Sequence, residues 1–103
     1  MKKIMLCCSA GMSTSLVMKK MKKAADAMGI ETEIEAFGAS EFDERAPHYD
    51  VVLLGPQIKY MLKDFQKKGE ALGIAVAAIN PMDYGMQKGE KILKEALSLL
   101  ETA

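Results

Sequence analysis

The chain has 103 residues, half of them apolar, with 14 acidic and 14 basic side chains. That is enough for one domain spanning residues 1–103 and too little for two. The even charge removes the electrostatic case for nucleic acid, and no apolar run approaches the roughly 20 residues that a membrane-spanning helix needs.

Residues 4–8 (IMLCC) form a short continuous apolar run, which suits a strand covered on both faces. The basic start Met1-Lys2-Lys3 is followed by too short a run for a secretory leader, whose apolar region spans about 7–15 residues. A mature cytoplasmic protein without membrane insertion is expected. Cys7 and Cys8 are adjacent and make no disulfide framework, so both are expected as thiols. Over residues 14–28, Val17, Met21, Ala24 and Met28 share one helical stripe, and Gly29 ends it. Residues 31–37 (ETEIEAF) alternate polar and apolar, as an edge strand with one wet face does. Ser40 is placed to cap a short helix beginning at Glu41. Residues 50–54 (DVVLL) and 74–79 (IAVAAI) are further continuous runs, read as strands. Between them, Ile58, Met61, Leu62 and Phe65 mark a helix over 58–68 that Gly69 stops. A last helix over 86–100 carries Ile92, Leu93, Ala96, Leu97 and Leu100. There is no internal repeat, low-complexity tract or linker.

The order β-α-β-(α)-β-α-β-α predicts an α/β fold, a single-domain open four-stranded parallel sheet with helices on both faces. Right-handed crossovers, with the alternating strand at an edge, give the order 2-1-3-4. The first strand is then central. Its carboxyl end abuts the switch point where open α/β sheets bind ligands.

At that point stands Cys8, followed by Ser9, Ala10, Gly11, Met12, Ser13, Thr14 and Ser15. Small residues before a helix start let backbone N–H groups wrap an anion, and the helix end adds partial positive charge. Gly11 permits backbone angles that other residues resist. Ser13, Thr14 and Ser15 add hydroxyl donors. The loop is therefore predicted to cradle a phosphate. The same donors would lower the Cys8 pKa below its ordinary value of about 8.5, making the thiolate a nucleophile toward phosphorus. Alternation along the strand turns Cys7 the other way, into packing. The loop has the length of the cysteine-phosphatase motif Cys-x5-Arg-[Ser/Thr], but Thr14 stands where the arginine belongs. The chain's one arginine, Arg45, is expected at the amino edge of the sheet. A phosphatase-like hydrolase is therefore the alternative reading, and a carrier that holds the group without committing it to water is the main one.

Residues 8–15 (CSAGMSTS) resemble the phosphorylation loop of the enzyme IIB components of the bacterial sugar phosphotransferase system, lactose/cellobiose family, cellobiose (diacetylchitobiose) branch. Residues 51–58 (VVLLGPQI) are similar to that family at the third strand and the loop after it. The resemblance implies a phosphotransferase that works through S-phosphocysteine. Cys8 would accept a phosphoryl group from a histidine of the IIA component. It would pass the group to a sugar, such as the β-linked disaccharides cellobiose or diacetylchitobiose, bound in the membrane IIC component. No cofactor is implied.

Gln57, after the third strand, could bond the phosphate or a partner, or simply begin a helix. After the fourth, Asp83 could repel a phosphate or orient a donor and Tyr84 could flank the site, or the two could form an ordinary turn near a helix start. His48 precedes the third strand and is expected in a solvated loop at the opposite edge. One histidine and two adjacent thiols offer no metal-ligand spacing. The run Lys19, Lys20, Lys22, Lys23 reads as a solvated helix face. Met12 offers a flexible apolar contact for docking.

Overall fold

The computed structural model describes the backbone of residues 2–8 and 13–102 and the side chains of residues 2–8 and 16–100. Its strands are β1 (Lys2–Cys8), β2 (Thr32–Gly38), β3 (Val51–Leu54) and β4 (Ala75–Ala78). They form one all-parallel sheet in the order β2-β1-β3-β4. In register, Ile4 lies between Ile34 and Val51, and Cys7 between Phe37 and Leu54. The continuous apolar runs of β1 and β3 therefore occupy the middle of the sheet. β2, with only Ile34 fully buried, takes an edge, as its alternation predicts.

The helices are α1 (Ser13–Met28), α2 (Phe42–Arg45), α3 (Leu62–Leu72), α4 (Pro81–Gly85) and α5 (Gly89–Thr102). Each side of the sheet has its own core. Ile4, Leu6, Val51 and Leu53 face α1 and α5, where Val17, Met21, Ala25, Ile92, Leu93 and Ala96 meet them. Met5, Cys7, Val52 and Leu54 face Phe42, Ala46, Ile58 and Phe65 on the other side. Burying one such large side chain contributes about 1.5–3 kcal/mol. The Phe42 and Phe65 rings stack at 4.2 Å, which joins α2 to α3 beneath the sheet.

Several boundaries depart from the sequence expectation. Ala25, four residues from Met21, is the buried member of the α1 stripe; Ala24 is half-buried and Met28 is 38% exposed. Ser40 caps nothing. Gly38 precedes a single 3-10 turn, Ala39–Glu41, that runs into α2. The segment after β3 begins as a 3-10 helix, Pro56–Met61, and becomes α-helical only at Leu62. Gly69 does not stop α3: it lies inside it, pressed against β4, where a Cβ would fall 2.5 Å from a Val76 methyl. The stop is Gly73, in the left-handed conformation with φ 75°. The predicted last helix is preceded by a separate short one, α4. Asn80 caps it, its Oδ1 accepting from the N–H groups of Met82 (2.8 Å) and Asp83 (3.3 Å), and Pro81 takes the first helical position.

Candidate functional site

Cys7 and Cys8 are adjacent thiols with different surroundings. Both are fully buried. Strand alternation sends Cys7 into the core of Phe42, Ile58 and Phe65, and places Cys8 on the face of Ile4 and Leu6, at the carboxyl end of β1. Burial pushes the Cys7 thiol up from 9.0 to about 12, with further contributions from Cys8 and Glu41. A thiol so held is a poor nucleophile. Cys7 is therefore the packing residue that the strand pattern predicts.

The edge beside Cys8 is built by the segments that leave β3 and β4. The Gly55 N–H donates to the Cys7 carbonyl at 2.7 Å, extending the sheet ladder by one bond. A Cβ on Gly55 would lie 3.5 Å from the Cys8 Cβ, 3.3 Å from the Cys7 carbonyl oxygen and 2.7 Å from Gln57 Oε1. The absence of a side chain at position 55 thus lets the Gln57 carboxamide fold back over the strand end, next to Cys8. Gln57 Nε2 donates in turn to the Tyr84 hydroxyl at 3.5 Å. Tyr84 comes from α4 and packs on the α1/α5 face of the sheet, the face of Cys8.

Gln57 and Tyr84, 27 residues apart in sequence, are thus brought together at the strand ends. Asp83 is turned away from solvent. It is 2% exposed, and its Oδ1 meets Lys91 Nζ of α5 at 3.3 Å. The backbone of Ser13, Thr14 and Ser15 begins α1, as predicted to within a residue. Ser9, Ala10, Gly11 and Met12, the rest of the predicted cradle, lie outside the described residues. His48 is exposed, just ahead of β3 and at the opposite sheet edge from Cys8. Arg45 is not confined to the amino edge. Its guanidinium lies 5.0 Å above the Phe37 ring, and Phe37 is the register partner of Cys7. It is kept from Cys8 by the sheet itself, since Phe37 and Cys7 line the opposite face. Among the described residues no cluster of His, Cys, Asp and Glu could hold a metal ion, and no helix is long and apolar enough to cross a membrane.

Two features of this edge escaped the sequence reading. Gly55 was legible only as a turn residue, because its value lies in the absence of a side chain beside Cys8. Lys91 is one of two lysines on α5, and only the packing of α4 on α5 singles it out.

Comparison with known proteins bears on the same residues. The family model "PTS system, Lactose/Cellobiose specific IIB subunit" matches residues 3–95. The chain is 45% identical over 100 residues to the oligo-beta-mannoside-specific EIIB component of Bacillus subtilis (strain 168), covering 97% of each chain. It is 42% identical over 104 residues to the cellobiose-specific EIIB component of Lactococcus lactis subsp. lactis (strain IL1403), covering 96% of each. The solution structure of a cellobiose-specific phosphotransferase IIB component from Borrelia burgdorferi superposes with a TM-score of 0.82 at 36% identity, over 98% of this chain and 93% of that one.

Proposed function

Since the chain belongs to the lactose/cellobiose-specific IIB subunits of the sugar phosphotransferase system, we propose that Cys8 is its phosphoryl carrier. The thiolate sulfur attacks the phosphorus of a phosphohistidine on the IIA component. The S–P bond forms, the P–N bond breaks, and its electron pair stays on the imidazole, which takes up a proton. A hydroxyl of the sugar bound in the membrane IIC component then attacks the same phosphorus. The O–P bond forms, the S–P bond breaks, and the thiolate is restored. The hydroxyl proton passes to a base on the acceptor side. The protein works on the cytoplasmic side, where the sugar phosphate is released.

The observation that carries this reading is the position of Cys8, at the carboxyl end of the central strand directly before α1. Ser9 to Met12, with the α1 start at Ser13, Thr14 and Ser15, would supply the phosphate cradle through backbone N–H groups and hydroxyls. Gln57 and Tyr84 would border it. The rim also suits protein partners. Leu16, Tyr60, Met82 and Met86 are large apolar side chains, 53%, 82%, 69% and 63% exposed, on segments that follow β1, β3 and β4. Flexible methionines on such a rim fit a carrier that must dock to two partners in turn. The sugar is set elsewhere: relatives of similar identity are named for oligo-beta-mannoside and for cellobiose. A β-linked disaccharide is the proposed cargo.

The test is incubation with phosphoenolpyruvate, the general phosphotransferase proteins and a IIA component, followed by mass spectrometry. One phosphoryl group is expected on Cys8, labile and absent in Cys8→Ala. Label on Cys7 or His48 would overturn the assignment. Hydrolysis of an arylphosphate by Cys8 would restore the phosphatase reading.

A further inference from the structure

We infer that the Asp83–Lys91 ion pair is a positioning device for phosphoryl transfer, holding α4 so that the Tyr84 hydroxyl stays against the Gln57 carboxamide beside Cys8. This rests on the carrier reading above.

Asp83 is the charged residue that the fold buries, at 2% exposure among the described residues. Its Oδ1 has Lys91 at 3.3 Å, while its Oδ2 is buried with no hydrogen-bond partner among the described residues. A carboxylate withdrawn from water with half its acceptor capacity unused weakens a fold. An isosteric amide would carry no charge to desolvate. Lys91 is more than half exposed, so it gains little from the pairing itself.

What the pair supplies is a connection. α4 has five residues, too few to hold a helix by its own hydrogen bonds. It is tied down from outside: Asn80 caps its start, the Asp83 carbonyl accepts from the Lys88 N–H at 2.9 Å, and the Asp83 carboxylate reaches Lys91 in the first turn of α5. α5 is itself anchored on α1, where Gly89 sits against the backbone of Lys20 and Met21. The residue after Asp83 is Tyr84, which takes the Gln57 hydrogen bond at the strand ends. The ion pair therefore transmits the fixed position of α5 to the side chains that border Cys8. Neither Asp83 nor Lys91 is given a contact with the transferred group.

The experiment measures phosphoryl transfer from a phosphorylated IIA component to the full-length chain across donor concentrations, alongside urea unfolding. Asp83→Asn is expected to keep or raise the unfolding midpoint while lowering the maximal transfer rate roughly tenfold. The donor concentration for half-maximal rate should change less than the maximal rate, because Leu16 and Tyr60 of the docking rim lie outside α4. Tyr84→Phe should lower the rate as well, and the double variant should be no slower than Tyr84→Phe alone. Lys91→Met should slow transfer, and Lys91→Arg should restore most of that loss. Asp83→Asn transferring at the wild-type rate, losses that multiply in the double variant, or a loss lying wholly in the donor concentration would each overturn the inference. Should Asp83→Asn fail to fold, the half-exposed Lys91 variants decide by the same criteria. A wild-type chain that accepts no phosphate on Cys8 would instead remove the carrier reading, and this inference with it.

Discussion

Alkaline unfolding of the wild type beside a Cys7→Ala variant separates the roles of the two adjacent thiols. In the unfolded chain the Cys7 thiol titrates near 9.0, and in the fold burial raises it to about 12. Across that window the unfolded state has released a proton that the native state keeps. Stability present below about pH 9 is therefore lost as the pH rises toward about 12, at close to 1.4 kcal/mol per pH unit. Two units amount to about 2.7 kcal/mol, a large part of the 5–15 kcal/mol that holds a typical domain together. The variant loses a sulfur from the core of Phe42, Ile58 and Phe65, so it starts weaker, but this contribution to its slope is gone. Burial also raises the Tyr49 hydroxyl. That acts in the same direction in both proteins and cancels from the difference. The assay is urea unfolding followed by far-UV circular dichroism from about pH 8 to about pH 11. The wild type should lose stability more steeply than Cys7→Ala. Parallel curves would mean that the core does not hold the Cys7 thiol neutral, and the separation of a packing thiol from a reactive one would fail.

Two glycines four residues apart should respond oppositely to alanine. A Cβ on Gly89 would lie 2.5 Å from the Lys20 carbonyl carbon and 2.7 Å from the Met21 nitrogen, so Gly89→Ala must push α5 off α1. It should cost roughly 1–3 kcal/mol and several degrees in melting temperature. Gly85 has nothing within 4 Å of its Cβ position, so Gly85→Ala should melt no lower than wild type. Gly55→Ala would displace the flexible end of Gln57 and press on the Cys7 carbonyl oxygen at 3.3 Å, so calorimetry should show a modestly lowered melt and the phosphorylation assay a slower transfer. A double Met82→Ser, Met86→Ser variant should raise the donor concentration needed for half-maximal phosphorylation of Cys8 and leave the unfolding midpoint unmoved, because both side chains are mostly exposed.

The sequence alone determined the layer architecture, the strand order and the place of Cys8 at the carboxyl edge of the sheet. These follow from local patterns with one physical outcome. Continuous apolar runs such as VVLL suit strands of a sheet covered on both faces, and an alternating run such as ETEIEAF suits an edge; the continuous run of β4, last in chain order, takes the other edge. Right-handed crossovers then leave the first strand central, with Cys8 at its carboxyl end. The residues of α4 were also legible in principle, since Asn80-Pro81 is a cap followed by a favoured first helical residue. What only the tertiary structure decided were choices between residues of the same local character. Gly69 and Gly73 both suit a helix stop; contact with Val76 makes the first a close-packing residue and leaves the left-handed turn to the second. Arg45 reads as remote by chain order, but it is the sheet between Phe37 and Cys8 that separates it from the site. Asp83 reads as a residue of an ordinary turn until α5 packs over it and brings Lys91 to its carboxylate. Local sequence specifies which face a side chain takes. It does not specify which distant chain will cover that face, and burial, charge pairing and close approach all depend on that covering.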